Sequence, residues 1–302
     1  MNAKRVSLAA AAAALLLVPF VVPVPDDLER IRSLRMLGVL AHIGLPAVLT
    51  FVLYRVGPLR GRLIVAGACA LVLASGCELL QTFVQRHPRW QDVGTDLVGV
   101  SVAVGWLGRR VGGGRAYGAL FVAGLAAVLY LVYSWPVYFM AERQAVRRFP
   151  LVADFETSTE LALWDLNGQA HGSFGIQEQS EGDHVLTVGV EPQDLYPGVI
   201  ARGLPRDWSA YEILSFRARL ERGAQARINI RLDDFASRED SLWCGEGFPL
   251  EAEWRTFEVD LKSAASDVEE RPFRLDDIDS LLLYLTRVED GTTVLIDDIV
   301  LR

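Results

Sequence analysis

Six residues able to do polar chemistry stand within or between apolar runs of the first half of the chain: His42, Glu78, Gln81, Arg86, Asp92 and Asp96. Ionisable groups at membrane depth are expensive, and they mark binding sites, relays or ion paths. Helical spacing gathers them. Glu78 and Gln81 stand at i and i+3, while Asp92, Asp96 and Gly99 stand at i, i+4 and i+7, so each set shares one helix face. Gly99 and Ala103 form a small-residue strip that lets another helix approach closely. His42 lies about two turns into the preceding run from the same side, and Arg86 and Arg89 occupy the loop between the two faces. Such a patch is suited to binding a polar or charged group at the outer membrane surface. An enzyme reading uses Glu78, Asp92 or Asp96 with His42 on a lipid-linked precursor. In the plainer reading the side chains pair with one another or snorkel to the interface, tying three helices together.

The elements that must position these residues are apolar stretches at Val6–Val24, Met36–Tyr54, Leu63–Val84, Val93–Gly108 and Tyr117–Met140. About 20 residues cross a hydrocarbon core, so about five transmembrane helices are expected within residues 1–140. The exit of the first stretch, PFVVPVPDD, lacks a small-x-small cleavage site, which favours a retained anchor over a cleaved signal. Lys and Arg counts tie between the two sides of the membrane. The proposed inner loops are short and free of acids, which places the N-terminus inside and the second half outside the cytoplasm.

These residues resemble the VanZ family of small bacterial membrane proteins. The likeness rests on Glu78, Gln81, Arg86, Asp92 and Gly99, with His42 similar to a histidine early in the preceding span, and it covers roughly residues 10–135. The family usually carries Asn where this chain has Asp96, and its loop spacing varies. The resemblance implies a multi-pass protein of the bacterial inner membrane, associated with glycopeptide (teicoplanin-type) resistance and envelope biology.

Composition changes after this region. Up to Arg148 there are 16 basic and 7 acidic residues; after it there are 14 and 31. That asymmetry sets a boundary, with AERQAVRRFP read as a linker over 141–150 and a second domain over 151–302. There HVLTVGV, GVIARGL, ILSFRARL, ARINIRL, RTFEVDL, SLLLYL and TTVLIDDIVLR alternate apolar and polar residues. They read as strands with one buried face, about ten in all, forming an antiparallel β-sandwich or jelly roll.

Their order resembles the galactose-binding-like jelly roll of carbohydrate-binding modules, notably the group related to family 11. It rests on DFE from Asp154, WSAYEILSFRARL from Trp208, INIRLDD from Ile228, WRTFEVDL from Trp254 and the terminal LIDDIVL. The resemblance implies a non-catalytic glycan-binding module, often with a structural calcium ion. Asp154, Glu156, Asp297 and Asp298 are the calcium candidates, because the first and last strands of such folds lie side by side; solvated acids on edge strands are the alternative. Sugar binding needs an aromatic face beside planar hydrogen-bonding groups, which Arg231, Asp233 and Trp243 supply, with Tyr196 and Tyr284 in reserve. Trp208, Tyr211 and Trp254 fit core or strand-start packing.

The three cysteines and four histidines suggest neither a disulfide framework nor a zinc site. No Gly-rich phosphate loop, HExxH, GxSxG or CxxC pair appears, and the acidic second half argues against nucleic acid. The expected partners are the lipid bilayer and an envelope glycan or lipid-linked precursor. A scaffold whose β-domain binds a protein is the remaining alternative.

Overall fold

The structure is a computed structural model that describes residues 31–56, 59–81, 90–167, 171–192, 196–235, 242–243, 247–266 and 273–302. Arg86, the first apolar stretch and Cys244 lie outside the described residues. The chain divides into two units, Met1–Trp135 and Pro136–Arg302.

Four described helices build the first unit: α1 (Arg32–Arg55), α2 (Leu63–Gln81), α3 (Trp90–Arg110) and α4 (Arg115–Val132). Helix α3 is central and packs against the other three. Its buried residues Thr95, Asp96, Gly99, Val100, Ala103, Val104 and Leu107 recur at three- and four-residue intervals, as a helix enclosed by neighbours requires. Close approach depends on missing side chains. A Cβ on Gly99 would run into the backbone carbonyl of Ile43 in α1, and one on Gly105 into the backbone of Phe121 in α4. On α2, Ala66, Ala70 and Ala74 are fully buried at successive i+4 positions, a small-residue seam of the same kind. Pro46 lies inside α1, and the Thr50 hydroxyl donates to its carbonyl at 2.8 Å, so a side chain satisfies an acceptor near the proline break.

Of the about five spans expected, the first lies outside the described residues, and the other four are met only in part. Among the described residues only Met36–Arg55 and Arg115–Arg148 are long and apolar enough to cross a membrane, and Leu63–Cys77 is a shorter apolar helix. Charge explains the shortfall. Asp92, Asp96, Arg109 and Arg110 dilute α3, while Glu78 ends the apolar run of α2.

Helix α5 (Trp135–Arg148) begins at the unit boundary, and all but its first residue belong to the second unit. Residues 141–148, read from sequence as linker, are therefore helical. Ala141 and Ala145, one turn apart, are buried in the same core as the strands that follow. A polar-looking stretch docks there because two methyl groups suffice where a helix lies close to a sheet. The strand expectation is met by a β-sandwich of two antiparallel sheets. One runs β10 (Arg255–Asp260), β6 (Ile213–Arg222), β12 (Thr292–Leu301), β4 (Asp183–Val190), β3 (Ser173–Ser180), with β1 (Leu151–Ala153) also paired to β12. The other runs β2 (Trp164–Leu166), β5 (Gly198–Arg202), β11 (Ile278–Thr286), β7 (Arg227–Asp234), β8 (Leu242–Trp243), with β9 (Phe248–Pro249) also on β7. A short helix, α6 (Leu261–Ser266), follows β10.

Period-two alternation fills the space between the sheets. Ile228, Ile230 and Leu232 of β7, and Leu281, Leu283 and Leu285 of β11, point into one core around fully buried Trp208, Phe155 and Phe216. The Trp208 indole N–H donates to the Pro205 carbonyl at 2.7 Å, which satisfies its buried donor.

Candidate functional site

The same alternation decides what the second sheet shows outward. If Ile228, Ile230 and Leu232 face in, then Asn229, Arg231 and Asp233 face out; likewise Ser280, Leu282, Tyr284 and Thr286 on β11. Register lines these up: Ser280 opposite Asp233, Leu282 opposite Arg231, Tyr284 opposite Asn229. On the far side of β11, Gly198 lies opposite Tyr284 and Ile200 opposite Leu282. Ile200, Leu282 and Tyr284 form their own buried apolar cluster, separate from the main core.

Polar groups are held around that apolar floor. Arg231 Nε donates to Asp233 Oδ1 at 2.9 Å, and the Ser280 hydroxyl donates to Asp233 Oδ2 at 2.8 Å. Asp233 thus fixes both a guanidinium and a hydroxyl. The amide of Asn229 donates to the Thr286 hydroxyl at 3.1 Å. Tyr196 stands edge-on to Tyr284 with ring centroids 5.3 Å apart, and it remains 38% exposed. Its φ of 53° lies in the left-handed region, which a bulky residue seldom occupies unless its surroundings demand it. Trp243 is the ladder partner of Arg231.

The five residues named for sugar contact therefore fall on or beside one patch: Arg231, Asp233 and Tyr284 on the outer face, Tyr196 against it, and Trp243 at the adjoining register position. Ser280, Asn229 and Thr286 join them. Period-two alternation along the sequence would have found all three, had the outward positions been counted as well as the inward ones.

The four acids named for calcium do not converge. β1 does pair with β12, yet Asp154 is ion-paired with Arg148, and Glu156 meets His184 at 3.2 Å. Asp298 and Asp297 lie 3.0 and 3.7 Å from the Arg217 guanidinium. Among the described residues no group of three or more His, Cys, Asp or Glu is arranged to hold a metal ion. The acid that sequence reading missed is Glu160. It sits 2.7 Å from Arg148 and accepts the backbone N–H groups of Asp154 and Phe155 at 3.1 and 3.0 Å. Burial raises the Glu160 carboxyl despite those donors. Burial likewise pushes Asp297 up to about 6, with the neighbouring Asp298 charge adding to it.

In the helical unit, His42 and Asp96 meet. Nδ1 of His42 and Oδ1 of Asp96 are 3.1 Å apart; the Asp96 side chain is fully buried and that of His42 is 16% exposed. Asp92 lies one turn ahead of Asp96, and the Thr95 hydroxyl donates to its backbone carbonyl at 2.8 Å. Glu78 and Gln81 fall on the last turn of α2, where only the backbone is described. Two of the six cluster residues are thus in contact, and a third is adjacent along the helix.

No family model and no curated protein matches the chain. Solved structures similar to it include carbohydrate-binding modules. One is a family 11 carbohydrate-binding module from Clostridium thermocellum in complex with a β-1,3-1,4-mixed-linked tetrasaccharide, 18% identical with a TM-score of 0.39, over 50% of this chain and 93% of that one. A family 30 module of a cellulosomal cellulase from the same organism is 15% identical at a TM-score of 0.36, over 46% and 91%. A xylan-binding domain from Paenibacillus barcinonensis is 14% identical at 0.33, over 49% and 90%. The likeness goes no finer than the sandwich that the ladders define. The VanZ resemblance of the helical unit has no counterpart among these matches.

Proposed function

We propose that the chain is a bacterial inner-membrane protein that presents a glycan-binding β-sandwich outside the cytoplasm, with its N-terminus inside. The observation that carries the glycan reading is the outer face of the second sheet. A partly exposed aromatic ring, Tyr196, stands beside a buried apolar floor, with the partly exposed guanidinium of Arg231 and carboxylate of Asp233 fixed on the same face. Sugars offer that complement: C–H faces that pack on aromatic rings, and hydroxyls that both donate and accept. Asp233 holds Arg231 and Ser280 in place before any ligand arrives, which lowers the ordering cost of binding. The acidic balance of this half fits a neutral glycan better than a phosphate-rich one.

The helical unit anchors the sandwich, and the apolar stretches Met36–Arg55 and Arg115–Arg148, the latter continuing into the second unit, support membrane residence. Within the VanZ resemblance, the combined protein reads as an envelope-recognition factor of the kind associated with glycopeptide resistance. Its chemistry is recognition of envelope glycan or lipid-linked precursor, with no reaction assigned.

The test is affinity electrophoresis and glycan-array binding with full-length protein in detergent, beside a Tyr196→Ala variant. Retardation by at least one neutral polysaccharide is expected, and the variant should lose about tenfold in affinity, as stacking on one aromatic ring is worth roughly 1–1.5 kcal/mol. Absence of binding across neutral glycans would sink the sugar reading, whereas binding that Tyr196→Ala leaves intact would sink the assignment of the site to this patch.

A further inference from the structure

Asp96 is fully buried, and its Oδ2 atom has no hydrogen-bond partner, whereas Oδ1 faces His42. A buried polar atom left unmatched costs about 1–3 kcal/mol, and more when it carries charge. If His42 is neutral, its Nδ1–H donates to Oδ1 and the pair carries a net negative charge inside a helical bundle, with the Asp92 carboxylate one turn away. If His42 is protonated, the pair is neutral and Oδ2 still lacks a donor. With Asp96 ionised, both states call for an N–H or O–H donor at one atom, and the first also calls for a positive charge.

We propose that the His42–Asp96 pair is the binding site of a protonated primary amine, borne by a lipid headgroup or by a soluble molecule. This rests on the reading of the helical unit as a membrane domain. The geometry discriminates among donors. A hydroxyl would supply the hydrogen bond without the charge. A guanidinium prefers both carboxylate oxygens in a planar fork, and Oδ1 is taken. A divalent cation wants several oxygens, and no such cluster exists among the described residues. A quaternary ammonium has charge but no N–H. The primary ammonium is compact, charged and triply donating, and a charge-assisted hydrogen bond to Oδ2 satisfies both requirements together. The His42 ring, 16% exposed against a fully buried Asp96, marks the edge of the site. Gly38, one turn before His42 on the same helix face, leaves open space where a side chain would otherwise stand.

The experiment uses full-length protein in detergent, with retained lipid counted by native mass spectrometry. Four lipids with identical acyl chains are offered: phosphatidylethanolamine, its N-methyl and N,N-dimethyl forms, and phosphatidylcholine. Stepwise loss of retention as N–H groups are methylated away is expected, about tenfold over the series. Asp96→Asn should abolish the preference while keeping the helical circular dichroism of the parent. Octylamine and ethanolamine are competed in separate arms. Displacement by these amines without any lipid preference assigns the site to a soluble amine and supports the ammonium chemistry. Equal retention of all four lipids with no displacement overturns the proposal, as does a folded Asp96→Asn protein that keeps the preference. Should Asp96→Asn not fold, the methylation series on the native chain decides alone. Carbonate extraction of membranes runs in parallel. A chain that extracts as soluble defeats the membrane reading itself, whereas an integral chain without amine preference defeats only this inference.

Discussion

Asp297 illustrates what a single residue's surroundings add to its sequence position. Its side chain is 6% exposed, and the Arg217 guanidinium 3.7 Å away compensates it only in part. Burial therefore dominates and lifts its carboxyl from 3.8 to about 6. An acid raised in the folded state keeps its proton there after the unfolded chain has lost it. Stability thus falls as pH rises from about 4 through about 6, and the full cost is present above that window. Asp297→Asn removes the buried charge. The variant should be more stable than the parent by about 1–3 kcal/mol at pH 7.5, with the gain gone near pH 4. Urea titrations of both proteins in detergent, followed by tryptophan fluorescence at the two pH values, measure this; an equal gain at both would point to some cause other than ionisation. The acids themselves were legible in the sequence. Their partners were not, because Arg217 is 80 residues or more away along the chain, and only the β12–β6 ladder brings it alongside.

Among the elements, those with a strong period were legible and those without were hidden. All seven alternating runs read as strands are strands, since each buries one face against the core. The missed ones have physical reasons. β1, β2, β8 and β9 are two or three residues long, too short to show a period. β3 is an edge strand, SFGIQEQS, with no fully buried residue; only Phe174 and Ile176 pack against the core, too short an alternation to stand out. Helix α5 was hidden because its docking face consists of two alanines, whose small apolar area barely registers as periodic. That face predicts its own fragility. Ala145→Leu inserts a branched side chain into a packed helix–sheet contact and should cost about 1–3 kcal/mol. Val146→Ala, one position on and 66% exposed, should change stability by less than about 0.5 kcal/mol. Comparing the two melting temperatures checks this, and similar losses from both would mean that α5 is not docked through its alanines. The outer-face patch of the second sheet belongs to this scale too. Arg231, Asp233 and Tyr284 were legible as outward residues of strong strands, while the floor of Ile200 and Leu282 was not, because apolar residues on an outer face break the alternation rule.

At the scale of the whole molecule, the charge asymmetry between the halves and the glycan reading make a joint demand on topology. Thirty-one acidic residues follow Arg148 against 14 basic ones, and a module that meets envelope glycans must lie outside the cytoplasm. Lys and Arg balance across the proposed loops, so the positive-inside rule exerts no net pull either way, and side assignment has to be measured. A single accessible thiol does this. In a background carrying Cys69→Ala, Cys77→Ala and Cys244→Ala, the exposed loop position Glu253 is changed to cysteine, Glu253→Cys. Spheroplasts are then treated with a membrane-impermeant maleimide. Labelling of intact spheroplasts, at the level reached after permeabilisation, is the expected outcome. Labelling that appears only once the membrane is opened would place the sandwich inside, where it meets no envelope glycan. The outer-face patch would then need a cytoplasmic ligand, and the acidic surface would face the same compartment as the basic loops of the helical unit. The His42–Asp96 site is unaffected by that result in its chemistry but changes leaflet with it, so the same experiment also fixes which face of the bilayer must supply the amine.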